Sequence, residues 1–170
     1  MPYPHSQGFA TEPLSGRHRR NWAVGLLLVA ALLFGAAQAA PAISGAAKGA
    51  AIGGYDPVAY FTTDKPAKGD PTITHEWNGA TWQFASEEHR ALFIAEPEKY
   101  APQYGGYCAY AASLNRVAEG DAKRWKIVDG KLYLNNNFIA HKLWQTDLSG
   151  NLEDSERNWD GVRAKIEAKD

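Results

Sequence analysis

Asn78-Gly79, set between two stretches in which apolar and polar residues alternate, constrains this chain more than any other feature. A type I′ turn needs positive φ at both central residues, and Asn-Gly supplies them with little strain. Ile73, His75 and Trp77 alternate with polar residues before the dipeptide, and Ala80, Trp82 and Phe84 after it, so residues 72–84 are read as a β-hairpin. Asp129-Gly130 is flanked in the same way by Trp125-Lys126-Ile127-Val128 and Lys131-Leu132-Tyr133-Leu134, which gives a second hairpin.

The helical signals lie between and after the hairpins. Ser86 can cap a helix whose first turn holds Glu87 and Glu88, where carboxylates suit the positive end of the dipole, and whose apolar residues are Leu92, Phe93 and Ile94. Pro97 opens a further turn through Tyr100. Phe138, Leu143 and Trp144 predict a helix to about Leu148, and a last helical stretch is expected from Leu152 through Trp159. Hairpins in place of crossovers, interleaved with short helices, define an α+β class: a small antiparallel sheet built from hairpins with several short helices packed around it. No internal repeat is visible, and Asn135-Asn136-Asn137 reads as a turn into the next helix.

At the N-terminus, Arg17-His18-Arg19-Arg20 precedes the apolar run Trp22 to Phe34 and small residues ending in Ala37-Gln38-Ala39. Basic, apolar and A-x-A segments in that order make a secretory signal peptide over residues 1–39, cleaved before Ala40. The competing reading is a retained anchor, but the strongly apolar part is only 13 residues long, short of a bilayer span. Arg19-Arg20 also raises the twin-arginine route. The protein is thus expected outside the cytoplasm, periplasmic or secreted, with no membrane attachment after cleavage. The Ala/Gly-rich stretch 40–52 is read as a flexible leader, and 53–170 as one domain.

Residues 1–39 carry three of the 18 basic and one of the 19 acidic residues, so the mature chain of 131 residues has 15 against 18 and a net charge of −3. It offers no basic stripe for a phosphate backbone, which argues against nucleic acid as a partner. Five Trp and seven Tyr remain, enough to build a core without disulfides. No phosphate loop, nucleophilic-serine motif or paired-cysteine knuckle is present, so nothing supports a hydrolase or a nucleotide-dependent enzyme. Glu87, Glu88, Glu96 and Glu98 read as solvated charge.

The segment Tyr104-Gly105-Gly106-Tyr107-Cys108-Ala109-Tyr110 holds the single cysteine. A lone thiol in an oxidising compartment closes no internal disulfide; it is buried, capped, metal-bound, paired with another molecule, or used chemically. Gly105-Gly106 permits a tight turn, and Tyr104, Tyr107 and Tyr110 either wall the thiol off or hydrogen-bond a ligand. Free cysteine is among the most buried residue types, so core packing stands beside chemistry as a reading. Of the three histidines beyond residue 39, His89 at the third helical position after Ser86 is the candidate helper. His75 is expected to be a packed or solvated sheet residue, and His141 to carry no chemistry.

Gly54-Tyr55-Asp56-Pro57-Val58-Ala59-Tyr60-Phe61, Phe84-Ala85-Ser86, the stretch from Phe93 to Tyr100 with Pro97, and Tyr104 to Tyr110 together resemble the exported YHS-domain proteins, from Gly53 to about Trp159. The wider family is described as metal-binding, with copper a candidate, through two cysteines in the pattern Phe-Cys-Ser-x-x-Cys. The matching positions here are Ala85 and His89, so that site is not carried over intact. Some exported members place selenocysteine where this chain has Cys108, which implies redox or soft-metal chemistry at that position. The resemblance implies a small exported binding module that holds a soft metal ion, copper or zinc, through Cys108 with help from His89. Tyr104, Gly105, Gly106, Tyr107 and Tyr110 would support the site. Two alternatives stand beside it. One is a thiol redox enzyme in which Cys108 cycles through a sulfenic acid or mixed disulfide, reset by an external thiol or a partner protein. The other is a non-catalytic interaction domain with an aromatic surface.

Overall fold

Both turn dipeptides sit at hairpin tips: φ is 51° and 73° at Asn78 and Gly79, and 50° and 75° at Asp129 and Gly130. The computed structural model describes residues 42–168, so the signal peptide read over residues 1–39 and its cleavage point lie outside the described residues. In chain order the elements are α1 (Ala59–Thr62), β1 (Asp70–Trp77), β2 (Ala80–Phe84), α2 (Glu87–Ala95), α3 (Pro97–Tyr100), α4 (Ala109–Ser113), β3 (Asp121–Val128), β4 (Lys131–Asn135), α5 (Phe138–Thr146) and α6 (Leu148–Glu167). Short 3-10 turns cover Ala46–Lys48, Ala51–Gly54 and Gln103–Gly106. The fold is α+β, but its strands make two separate two-stranded antiparallel sheets, β1-β2 and β3-β4, where one small sheet was expected.

Ala80, Trp82 and Phe84 turn one face of β2 into the core, and Phe93 of α2 packs across Trp82 and Phe84 at ring distances of 5.1 and 5.2 Å. β4 is covered on both faces: Leu132 and Leu134 join that same core, while Tyr133 stacks between Tyr104 and Trp144. Ser86 caps α2 as its sequence predicts, accepting the His89 amide at 3.2 Å. Asn137, the last of the asparagine run, does the same for α5 through the Ala140 amide at 2.9 Å. The final helix runs well beyond the expected Trp159, because Val162 and Ile166 bury against Ala42.

That contact overturns the reading of the Ala/Gly-rich stretch as a flexible leader over residues 42–52, its described part. Ala42, Ile43, Ser44, Ala51 and Ile52 are all buried. The Ser44 amide bonds Gly105 O at 2.9 Å, and the Ile52 amide bonds Ser44 O at 2.7 Å. Small side chains there serve close approach: a Cβ on Gly105 would collide with the Ala42 carbonyl.

An internal duplication also emerges that the sequence does not announce. The four elements β1, β2, α2 and α3 recur as β3, β4, α5 and α6, each beginning 51 residues later, and both hairpins break register at the same place, between Asp70 and Thr74 and between Asp121 and Trp125. Ahead of the hairpins, Ile52-Gly53-Gly54-Tyr55 and Tyr104-Gly105-Gly106-Tyr107 share one backbone path, three left-handed residues followed by an extended tyrosine. Asp64 and Asn115 form a further pair at φ 53° and 55°. The hydrogen bonds repeat too: Gly69 N to Gly54 O matches Gly120 N to Gly106 O, and Asp56 N to Ala67 O matches Cys108 N to Ala118 O. Asp56 and Cys108 are therefore counterparts.

Candidate functional site: two versions of one position

In the first half the position is closed. Asp56 has no exposed surface, and its carboxylate accepts the Val58 amide at Oδ1 (2.8 Å), the Ala85 amide at Oδ2 (2.8 Å), and His89 Nδ1 at Oδ2 (2.5 Å). The other ring nitrogen of His89, Nε2, lies 3.1 Å from Thr62 Oγ1, and that hydroxyl reaches Val58 O at 3.2 Å. The Asp56 carboxylate thus ties α1, the end of β2 and α2 together, with the imidazole filling the space between them.

The second half carries the same frame with different side chains. Cys108 caps α4 and stands where Asp56 does; Ala140, third residue of α5, stands where His89 does; Ser113, whose hydroxyl bonds Tyr110 O and Asn151 Oδ1, stands where Thr62 does, and Leu114, the residue after α4, stands where Thr63 does. The Cys108 sulfur accepts the Ala111 amide at 3.4 Å, and its thiol donates to Asn135 Oδ1 at 3.7 Å. Asn135 is fully buried, accepts the Tyr110 amide at 3.1 Å on the same oxygen, and places its Nδ2 3.4 Å from His141 Nδ1. Burial pushes the Cys108 thiol up from its ordinary pKa, against the pull of the Ala111, Asn136 and Tyr110 amides. His141 is pushed down from the ordinary imidazole range, first by burial and then by Lys126, Lys142 and Arg124.

Where the imidazole of the first half would sit, the second half has a cavity of about 240 Å³, whose wall includes Cys108, Tyr110, Leu114, Arg116, Asn136 and Ala140. Cys108 itself is 2% exposed. A larger groove of about 640 Å³ runs along Gly45, Gly53, Gly54 and Gly120. Its two lysines are already engaged, Lys48 with Glu119 and Lys68 with the Gly53 carbonyl, each at 2.6 Å.

The structure does not bring the two predicted ligands together. His89 and Cys108 share no hydrogen-bond partner and no cavity wall, and both ring nitrogens of His89 are taken by Asp56 and Thr62. Among the described residues no group of three or more His, Cys, Asp and Glu side chains is placed to hold a metal ion. The donor set around Cys108 therefore fits no closed metal centre, and positions 85 and 89 hold an alanine and an engaged imidazole. Of the supporting residues, Tyr104 stacks on Tyr133 and Trp159 and its hydroxyl bonds Glu156 at 3.2 Å, away from the sulfur; Tyr107 lies toward Trp159; Tyr110 alone lines the cavity. Gly105 and Gly106 are left-handed and shape the turn into Cys108. His75 packs edge-on to Phe93.

Sequence reasoning passed over Asp56, Thr62, Asn135 and Ala140. The signal that could have found them is the pair of Gly-Gly-Tyr triplets at 53–55 and 105–107, which aligns Asp56 with Cys108. Comparison with known proteins adds no identity: no family model, no curated protein and no solved structure matches this chain. No helix among the described residues is long and apolar enough to cross a membrane.

Proposed function

We propose that this chain is a small exported binding module of the YHS-like kind, whose ligand enters the cavity beside Cys108. The observation that carries the reading is the cavity itself, an opening of about 240 Å³ at a position that the other half of the same domain fills with a side chain. Pockets for drug-sized ligands run to roughly 300–1,000 Å³, so this one suits a smaller molecule. No imidazole, carboxylate or second thiol lines it, so a soft metal ion would find one sulfur and no other strong side-chain donor. A thiol raised by burial and without a second cysteine is also poorly prepared for redox cycling. A small neutral organic ligand is the reading these walls support.

Titration of isotope-labelled protein with a panel of small neutral ring compounds tests it. Saturable shifts should gather at the amides of Ala111, Leu114, Asn136 and Ala140 and vanish in Ala140→Leu, which fills the space. Shifts confined to the glycine-lined groove, or none, would overturn the reading. Stoichiometric Cu(I) uptake lost in Cys108→Ser would restore the metal-binding alternative instead.

A further inference from the structure

We propose that the cavity beside Cys108 is a receptor for a neutral imidazole ring, the group that His89 supplies to the matching position of the first half. This rests on the binding-module reading above and names its ligand.

The first half shows what the frame is built to hold. There a ring N–H meets an acceptor carried by the residue after Gly-Gly-Tyr, and the far edge of the ring meets residue 62. In the second half the acceptor is Cys108, Leu114 at the end of α4 gives the cavity an apolar wall in place of the Thr62 hydroxyl, and the residue that would bring the ring, at the third position of α5, is Ala140. Both helices begin on the same cap, an amide of that third residue bonded to the side chain three positions back, so His89 and Ala140 leave their helices at equivalent points. The ring is absent while its frame is kept.

The chemistry of the wall selects the neutral form. Asp56 offers a carboxylate to the ring against it; Cys108 offers what the Ala111 amide leaves of the acceptor capacity of a thiol whose proton is already directed to Asn135. Thiol sulfur is a weak, uncharged acceptor, suited to a neutral N–H and without the charge that holds an imidazolium. Arg116 is the one formally charged side chain among the residues lining the cavity, and it opposes a cation there. His141 lies on the far side of Asn135, and Lys126, Lys142 and Arg124 bear on it from β3 and α5, so the surroundings on that side add positive charge; Glu119, beside the lining residue Ala118, is paired with Lys48 at 2.6 Å. Leu114, 48% exposed, stands at the mouth, where a ring entering from solvent exchanges water for apolar surface. The ring can belong to a free small molecule or to the histidine of a partner segment; the recognition chemistry is the same.

The test uses the full chain and 4-methylimidazole as probe, read by amide shifts and by thermal stability. Saturable binding is expected at Ala111, Leu114, Asn136 and Ala140, weakening as pH falls and the ring protonates. Toluene, a ring with no N–H, should bind about fivefold more weakly or less well still, the size of one modest hydrogen bond. Ala140→His, which brings a ring from within the chain, and Ala140→Leu, which only fills the space, should both abolish binding. A short histidine peptide that competes at the same site assigns the ring to a partner, and one that does not assigns it to a free molecule. Toluene binding as tightly as 4-methylimidazole, or binding that strengthens on protonation, overturns this inference while leaving the binding-module reading intact. Failure of every ring to bind overturns both.

Discussion

The two halves of this domain use one backbone for opposite ends. In the first, a buried carboxylate collects two backbone amides and an imidazole and locks α1, β2 and α2 together. In the second, a thiol takes the carboxylate's place, an alanine takes the imidazole's, and the space opens to solvent. The first half carries the polar staple, and the second, freed of that duty, keeps a cavity. A duplicated frame lets one copy hold the fold while the other varies.

The comparison breaks most visibly at the acceptor. Asp56→Ala should destabilise the domain by about 3–5 kcal/mol, because it orphans the buried Val58 amide, releases the Ala85 amide and strips His89 of its partner. Cys108→Ala, at the matching position, should cost only about 1 kcal/mol, since the lost acceptor is weak and the site already borders a cavity. Chemical denaturation of the two variants measures both; equal losses would mean that the halves are not divided in this way.

The glycines sharpen it next. Gly53 and Gly105 are counterparts at φ 65° and 59°, but a Cβ on Gly53 meets open space, whereas on Gly105 it meets Ala42 O. Gly53→Ala should cost about 1 kcal/mol, the strain of a left-handed residue. Gly105→Ala should cost about 2–4 kcal/mol, because the segment at Ala42 must move as well. Similar losses would mean that the N-terminal segment is not packed as described.

How much of this was legible follows from what the two halves retain. Turn chemistry reads directly: Asn78-Gly79 and Asp129-Gly130 each fix a backbone state that few other residues adopt, and Ser86 announces its helix by the amide it will bond. The duplication was hidden because the halves share turn and close-approach residues, Gly53-Gly54-Tyr55 with Gly105-Gly106-Tyr107 and Gly69-Asp70 with Gly120-Asp121, while the core is exchanged throughout, Trp82 for Tyr133, Phe84 for Asn135, Phe93 for Trp144. A core tolerates the exchange of one large apolar side chain for another, and admits Asn135 because Cys108 and the Tyr110 amide bond its side-chain oxygen, so hydrophobic identity carries little memory of a repeat. The same blindness sent the Ala/Gly-rich segment 40–52 to a leader: composition cannot distinguish small residues kept for flexibility from small residues kept for contact. The candidate site failed to read for a third reason. Pairing Cys108 with His89 joined the reactive residues of two different copies, and the partner that sequence assigned no role, His141, is the histidine that stands nearest the thiol's hydrogen-bond network.

A middle-sized effect tests whether the cavity is the missing ring. His89→Ala should cost about 2 kcal/mol by leaving Asp56 short of a donor and opening in the first half the space that the second half already has. Added imidazole should recover part of the lost thermal stability in this variant. No recovery would mean that the first half collapses around the deletion, and the two positions would then not be equivalent.

The acceptors also differ in how stability responds to alkali. Burial raises the Cys108 thiol above its unfolded value of about 8.5, so the folded chain holds that proton more tightly. Its contribution is complete below the unfolded pKa and is lost as pH climbs through the folded one, because the unfolded state then binds fewer protons. Urea denaturation in the alkaline range should show a steeper decline for the wild type than for Cys108→Ala, a difference that leaves out the buried Tyr60 and Tyr104 common to both. For the same reason, alkylation of Cys108 at neutral pH should be slower than that of a free cysteine; faster reaction would return the thiol to the class of activated nucleophiles.

The smallest expected change lies in the core exchange itself. Trp144 and Phe93 are counterparts, both fully buried under their hairpins, but Trp144 brings an indole Nε1–H that has no hydrogen-bond partner among the described residues. An unpaired buried donor costs about 1–3 kcal/mol, and trimming an indole to a phenyl ring sacrifices packing of comparable size. Trp144→Phe, which copies the first half into the second, should therefore fall within about 1 kcal/mol of the wild type by denaturant midpoint. A loss well beyond that would mean that Tyr133 and its neighbours are fitted to the indole outline, and that the second half has drifted from the shared frame in its core as well as at its site.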